Sequence, residues 1–191
     1  MFFSAPLVGK LTNHLDLRVL LFVGLLLVGI GTLINANLTV ESGFWQFFWP
    51  QVIRGLGLIM CLIPASRIAL GTLAPHEVGN ASGLYNVMRN LGGALGLALL
   101  DTVRDVRVDY HWNQLIASID TGRDVVVSEL GSYQALFEGH VADPYRSGVA
   151  MLARRVTQQA EVLAFNDIFL WLGLIYLGCV PLVLFLKRID A

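Results

Sequence analysis

From Val19 to Val40 the chain carries no charged residue, and Val19–Asn35 is almost entirely Leu, Val, Ile, Gly and Phe. A helix of about 20 such residues matches the hydrocarbon thickness of a bilayer. In lipid every backbone polar group must find its partner inside the segment, which leaves a helix as the conformation of a single apolar run. A second clean run, Ile168–Leu186, lies between Asp167 and the pair Lys187-Arg188. Composition agrees with a membrane protein. Apolar residues make up 55% of the chain and charged residues 14%, against about 25% charged in soluble domains. Composition alone also fits an apolar soluble helical domain; the two uncharged runs decide between them.

Two less uniform spans are expected. Phe44–Leu70 is apolar but contains Arg54, Arg67, Pro50 and Pro64, and it begins with Phe44, Trp45, Phe47, Phe48 and Trp49. Such a cluster is the composition of an aromatic belt at a membrane interface. Residues 78–101 are rich in small side chains and carry Arg89 within the apolar part. The segment Leu73-Ala74-Pro75-His76-Glu77 reads as the turn between them. The polar stretch 102–163 bears charges of both signs and reads as an extracytoplasmic loop. Its last part, Tyr145–Leu163, has the apolar spacing of an amphipathic helix. Residues 164–191 then hold the last span and a cytoplasmic tail. The expected fold is all-α: a membrane bundle with the end of one span near the N-terminus and full spans at about 19–36, 44–70, 78–101 and 168–186.

Positive charge orients it. Lys10 and Arg18 precede the first full span and Lys187 and Arg188 follow the last, whereas Ala36–Gly43 has no Lys or Arg. The first loop, the Pro75 turn and the C-terminus are therefore expected inside, and residues 36–43 and 102–163 outside. Met1-Phe2-Phe3-Ser4-Ala5-Pro6 lacks the basic start of a signal peptide and reads as the end of a helix that begins upstream.

Few residues invite a chemical role. Arg54 and Arg89 lie well inside their spans, where a charge costs several kcal/mol unless it faces protein or water. Each reads either as a residue of a polar substrate pathway or as an arginine bound to backbone carbonyls. Arg67, closer to the inner end, reads as snorkelling. Asn86 and Asn90, four apart and flanking Arg89, form the most polar patch of any span, suited to a ligand or to a neighbouring helix. Gly79-x-x-x-Gly83 and Gly92-Gly93-x-x-Gly96 let helices approach closely, whether for ordinary packing or as a sliding face. Asp101, Asp105 and Asp109 are spaced by four and with His111 could suggest a metal stripe, but Arg104 and Arg107 interrupt it, so a solvated helix extension is expected rather than a metal site. No nucleophile motif, phosphate loop or dinucleotide fingerprint is present, so no catalytic residue, cofactor or metal is expected. The net charge of −1 gives no reason to expect a nucleic-acid partner. Cys61 and Cys179 sit in apolar runs as small hydrophobes. No Asp or Glu lies deep in a span, so a proton-coupling carboxylate is not expected here.

In order and spacing these segments resemble the C-terminal part of the fourteen-span drug:proton antiporters of the major facilitator superfamily, the EmrB/QacA type. Gly9-Lys10-Leu11 with Arg18 resembles the cytoplasmic loop signature G-x-x-x-D-R-x-G-R, with Asn13, His14 and Asp16 in place of the Asp, the first Arg and the second Gly. Trp49-Pro50-Gln51 with Arg54-Gly55-Leu56-Gly57 and Pro64 resembles the twelfth span. Leu73-Ala74-Pro75, Gly79, Ala81-Ser82, Asn86, Arg89 and Gly92-Gly93 resemble the thirteenth. Gln158-Gln159-Ala160 and Asp167-x-Phe169 resemble the approach to the fourteenth. The resemblance implies a multi-pass protein of the bacterial inner membrane. It implies export of hydrophobic or cationic small molecules in exchange for protons, with a periplasmic adaptor and an outer-membrane channel as partners. It also implies that the chain is a fragment that does not transport alone. A membrane scaffold or truncated remnant whose outer loop binds a partner, and a small membrane enzyme using the Asp101–His111 stripe, are the competing readings.

Overall fold

The computed structural model describes residues 8–9, 15–71, 73–74, 76–119, 124–139, 141 and 143–185. Among them the regular structure is helical: α1 (Leu17–Ile34), α2 (Phe44–Leu70), α3 (Val78–Ser118), α4 (Asp124–Phe137) and α5 (Pro144–Cys179), with short 3-10 turns at Asn35–Asn37 and Pro181–Phe185. The expected all-α bundle is what forms. Lys10, Asn13, His14, Pro75, Lys187 and Arg188 lie outside the described residues, as do their roles in the loop signature and in orientation.

α1 and α2 make the tightest pair, and glycine makes it possible. A Cβ placed on Gly24 would stand 2.9 Å from the Gly57 carbonyl oxygen, and one on Gly57 would stand 2.7 Å from that of Gly24. Backbone meets backbone here, and no side chain fits between. Further along α1, a Cβ on Gly31 would stand 3.1 Å from the Pro50 carbonyl oxygen and the Arg54 nitrogen. Pro50 and Pro64 are both buried within α2. A helix-interior proline removes one backbone hydrogen bond, and neighbouring helices make this tolerable in lipid. Near the other end of the pair, Val8, Leu20 and Ile59 form a small buried cluster with Met60 and Ile63 against it.

α5 is the hub. It packs on α1, α3 and α4, whereas α2 and α3 barely touch. Its contact with α1 again uses glycine: Gly29 meets Leu177, and Gly173 meets Leu33 and the Gly29 carbonyl. A second fastening holds the α1–α2 loop. Asn166 Nδ2 donates to the Leu38 carbonyl at 2.7 Å, and the Leu38 N–H donates to Asn166 Oδ1 at 3.2 Å. The loop itself is closed by Thr39 N–H on Ser42 Oγ (2.9 Å), and Gly43 N–H on Gln46 Oε1 (3.0 Å) starts α2.

Two helices outrun a bilayer. α3 has 41 residues, about 60 Å at 1.5 Å per residue, and passes Asp101 without a break. α5 has 36 residues, about 54 Å, and joins the amphipathic stretch to the last span as one rod. Asp143 accepts from the Arg146 N–H at 3.1 Å with Pro144 at the first turn, a favourable helix start. The described part of 102–163 is thus mostly a helical hairpin of the α3 extension, α4 and the first half of α5. At its other end α5 stops at Cys179, and a 3-10 turn from Pro181 follows. Among the described residues, three segments are long and apolar enough to cross a membrane: Leu17–Asn37, Phe44–Leu70 and Pro144–Phe185. The remaining expected span lies in α3, whose apolar half is diluted by Asn86, Arg89 and Asn90.

Candidate functional site

The four pathway candidates divide between two helices. Arg54 on α2 is half-buried, and its Nη2 donates to Gln51 Oε1, one turn back, at 2.7 Å. Asn86, Arg89 and Asn90 on α3 are all exposed, and none has a hydrogen bond or ion pair among the described residues. The helices meet at Ser66 and Tyr85, whose hydroxyls are 3.4 Å apart. That contact sets a register. Arg54 lies 12 residues from Ser66 and Arg89 lies 4 from Tyr85, both toward the same side in antiparallel helices. At 1.5 Å per residue the two arginines are offset by about 12 Å in depth, so they do not form one charged layer.

The glycines of α3 behave unlike those of α1. A Cβ at Gly79, Gly83, Gly92, Gly93 or Gly96 would meet nothing within 4 Å, and no residue of α3 is buried. Asn86, Arg89, Asn90 and these glycines therefore belong to an uncovered helix surface, apolar except for its amide–guanidinium patch. Arg67 is exposed near the end of α2. In the loop signature, a Cβ at Gly9 would meet nothing within 4 Å among the described residues. Arg18 is half-buried, and its Nε has no hydrogen-bond partner among the described residues.

A polar cluster that sequence reasoning did not assemble joins α3 to α5. Arg107 donates through Nε and Nη2 to Asp167 Oδ2, both at 2.8 Å, and His111 Nε2 lies 2.6 Å from the same oxygen. The His111 side chain is only 13% exposed. Beside it Arg104 reaches Asp101 at 3.5 Å and Asp105 at 3.4 Å and lies over the Phe165 ring of α5, 5.7 Å from its centroid. The Asp101–His111 stripe is thus divided. Asp101 and Asp105 pair with Arg104 of their own helix, while Arg107 and His111 turn to α5. Among the described residues no three His, Cys, Asp or Glu side chains group as a metal site. The available signal was the four-residue spacing of Arg107 and His111, which places both on one helix face. The partner, 56 residues further on, had no local mark.

The hairpin also borders a half-open cavity of about 950 Å³ between the α1–α2 loop, α4 and α5. Arg155 is fixed on its wall, hydrogen-bonded to the buried Tyr133 hydroxyl and 3.4 Å from Glu129. The Tyr133 hydrogen bond, the charges of Tyr133 and Glu129 and, more weakly, Glu41 all raise the Arg155 pKa above its ordinary value. Arg154 and Glu41 line the same space, and neither makes a hydrogen bond or ion pair among the described residues.

Comparison with known proteins bears on this architecture. The sequence profile of the Major Facilitator Superfamily matches residues 1–102. The chain is 34% identical to the "Colistin resistance protein EmrB" of Acinetobacter baumannii, over 98% of this chain and 37% of that protein. It is 27% identical to the "Multidrug export protein EmrB" of Escherichia coli K12, over 96% and 35%. It is 24% identical to the "Fatty acid resistance protein FarB" of Neisseria gonorrhoeae, over 95% and 35%. The chain thus spans little more than a third of the length of these relatives. No solved structure matches it.

Proposed function

Because this chain belongs to the Major Facilitator Superfamily, a family of multi-pass membrane transporters rather than enzymes, we propose that it forms the C-terminal part of a proton-coupled multidrug efflux transporter of the bacterial inner membrane. The observation that carries this reading is the uncovered surface of α3. Gly79, Gly83, Gly92, Gly93 and Gly96 leave room for a close neighbour, and Asn86, Arg89 and Asn90 stand on the same helix without partners among the described residues. An arginine in a span is tolerable when it faces protein or a water-filled path. Transporters of this superfamily bind substrate near the bilayer midplane between two halves that rock against each other. A small-residue helix bearing one guanidinium and two amides suits the wall of such a path. Its substrates would be hydrophobic or cationic small molecules.

In this reading residues 36–43 and 102–163 lie outside and the Pro75 turn inside. The hairpin of α3, α4 and α5 then stands in the periplasm, where an adaptor leading to an outer-membrane channel would dock. Gly9 and Arg18 belong to the cytoplasmic loop.

Drug susceptibility of cells expressing the transporter that contains this chain tests the reading. Arg89→Ala is expected to lower resistance at unchanged protein level in the membrane. Arg89→Lys is expected to restore only part of it, because an ammonium replaces a planar fork by a point charge. Full resistance with Arg89→Ala would make Arg89 structural or irrelevant to export.

A further inference from the structure

The cavity under the hairpin has a chemistry of its own. Its volume, about 950 Å³, is at the upper end of the range for small-molecule sites, roughly 300–1,000 Å³. Three elements supply its walls. From α5, Met151, Arg154 and Gln158 lie on one helix face by their spacing, giving an apolar, a cationic and an amide group in a row. From the α1–α2 loop come Val40 and Glu41, and from α4 comes Phe137.

The charges narrow what can fill it. Arg155 is committed to Tyr133 and Glu129. Arg154 and Glu41 are not paired with each other, since no ion pair joins them within 4 Å among the described residues. A ligand that enters strips water from both, and a desolvated charge is costly unless it is paired. A purely anionic ligand would leave Glu41 with only the weak attraction of Arg155. A purely cationic one would leave Arg154 uncompensated, and a neutral one would satisfy neither. A molecule with an anionic group for Arg154, an ammonium for Glu41 and a short apolar part for Val40, Phe137 and Met151 satisfies all of them.

Height decides how it arrives. Asn166, tied to Leu38, sits where the apolar part of α5 begins, and Arg154 lies 12 residues earlier, about 18 Å along the helix. The headgroup layer adds only about 5–7 Å beyond the hydrocarbon on each side. A phospholipid resident in the bilayer does not place its phosphate at Arg154. We propose that this cavity is a binding site for a water-borne zwitterionic amphiphile, held by Arg154 and Glu41 with its apolar part against Val40, Phe137 and Met151. The site does not depend on the transport reading, and its test uses no transport.

The test is equilibrium binding of dihexanoylphosphatidylethanolamine, below its micellar concentration, to the chain in phosphatidylglycerol nanodiscs. Dihexanoylphosphatidic acid and dihexanoylglycerol are the anionic and neutral comparisons. The zwitterion is expected to bind at least about tenfold more tightly than either, the scale of one hydrogen-bonded charge. Arg154→Gln and Glu41→Gln are each expected to lose about tenfold. The exchange Glu41→Arg with Arg154→Glu is expected to recover most of the binding, which a merely structural role would not produce. Equal binding of the three probes, or unchanged binding by both single variants with native helicity, overturns the proposal. Weaker probe binding in phosphatidylethanolamine nanodiscs means that bilayer lipid already fills the site, and overturns the aqueous route.

Discussion

α1 and α3 are both glycine-rich helices, yet their glycines have opposite surroundings. On α1, Gly24, Gly29 and Gly31 are buried against α2 and α5, with neighbouring atoms where a Cβ would stand. On α3, Gly79, Gly83, Gly92, Gly93 and Gly96 face open space. The difference shows that small residues permit close packing without causing it. Lipid offers no hydrophobic drive between helices, so association needs a complementary partner surface. Gly57 and Gly173 supply one to α1. Among the described residues nothing supplies one to the glycine-bearing half of α3, whose far end packs on α5 and is joined to it by Arg107, His111 and Asp167.

The comparison breaks most readily at Gly57. Gly57→Leu forces a side chain into the Gly24 carbonyl and the Leu27 Cβ. It is expected to separate α1 from α2 and cost at least about 1–3 kcal/mol, the scale of overpacking in a well-filled core. Unfolding in mixed detergent–SDS micelles, followed by circular dichroism, measures it. A stability equal to wild type would mean that the helix pair is not sealed by glycine.

The polar fastening of α3 comes next. Asp167→Asn removes the charge that Arg107 and His111 share and is expected to cost about 1–2 kcal/mol, reduced from the usual value for charged hydrogen bonds because the groups are partly exposed. Cysteine cross-linking between α3 and α5 near these positions should then slow. Restoration by the exchange Arg107→Asp with Asp167→Arg would separate pairing from local damage. Asn166→Ala, which frees the Leu38 carbonyl and N–H, is expected to cost about 1 kcal/mol, with faster amide exchange in the α1–α2 loop as the readout.

The smallest expected effect on stability is the sharpest contrast with Gly57. Gly96→Ala meets no atom within 4 Å and exchanges a poor helix former for a good one, worth about 0.5–1 kcal/mol in favour of the helix. The chain is expected to be as stable as wild type or slightly more so. If α3 lines a sliding surface, the same change should lower drug resistance in the transporter. Loss of stability comparable with a Gly57 change would show that the α3 face is already packed.

The membrane-spanning character of this chain was legible in its sequence, since an uncharged run of that length has one comfortable environment, and so was the aromatic start of α2. The polar patch of Asn86, Arg89 and Asn90 was legible as well, because four-residue spacing is a local property. Three things waited for the tertiary structure. The stretch after Asp101, expected as an outer loop with a helix extension and an amphipathic helix at 145–163, is a helical hairpin whose middle helix, α4, was not expected. The choice of which glycines pack depended on the facing helix, which no single segment encodes. The joining of Arg107 and His111 to Asp167, and of Arg154 and Glu41 around one cavity, came from α5 lying against α3, α4 and the α1–α2 loop together. Those contacts link residues far apart in the chain, and a periodicity of 3.6 carries no record of such partners.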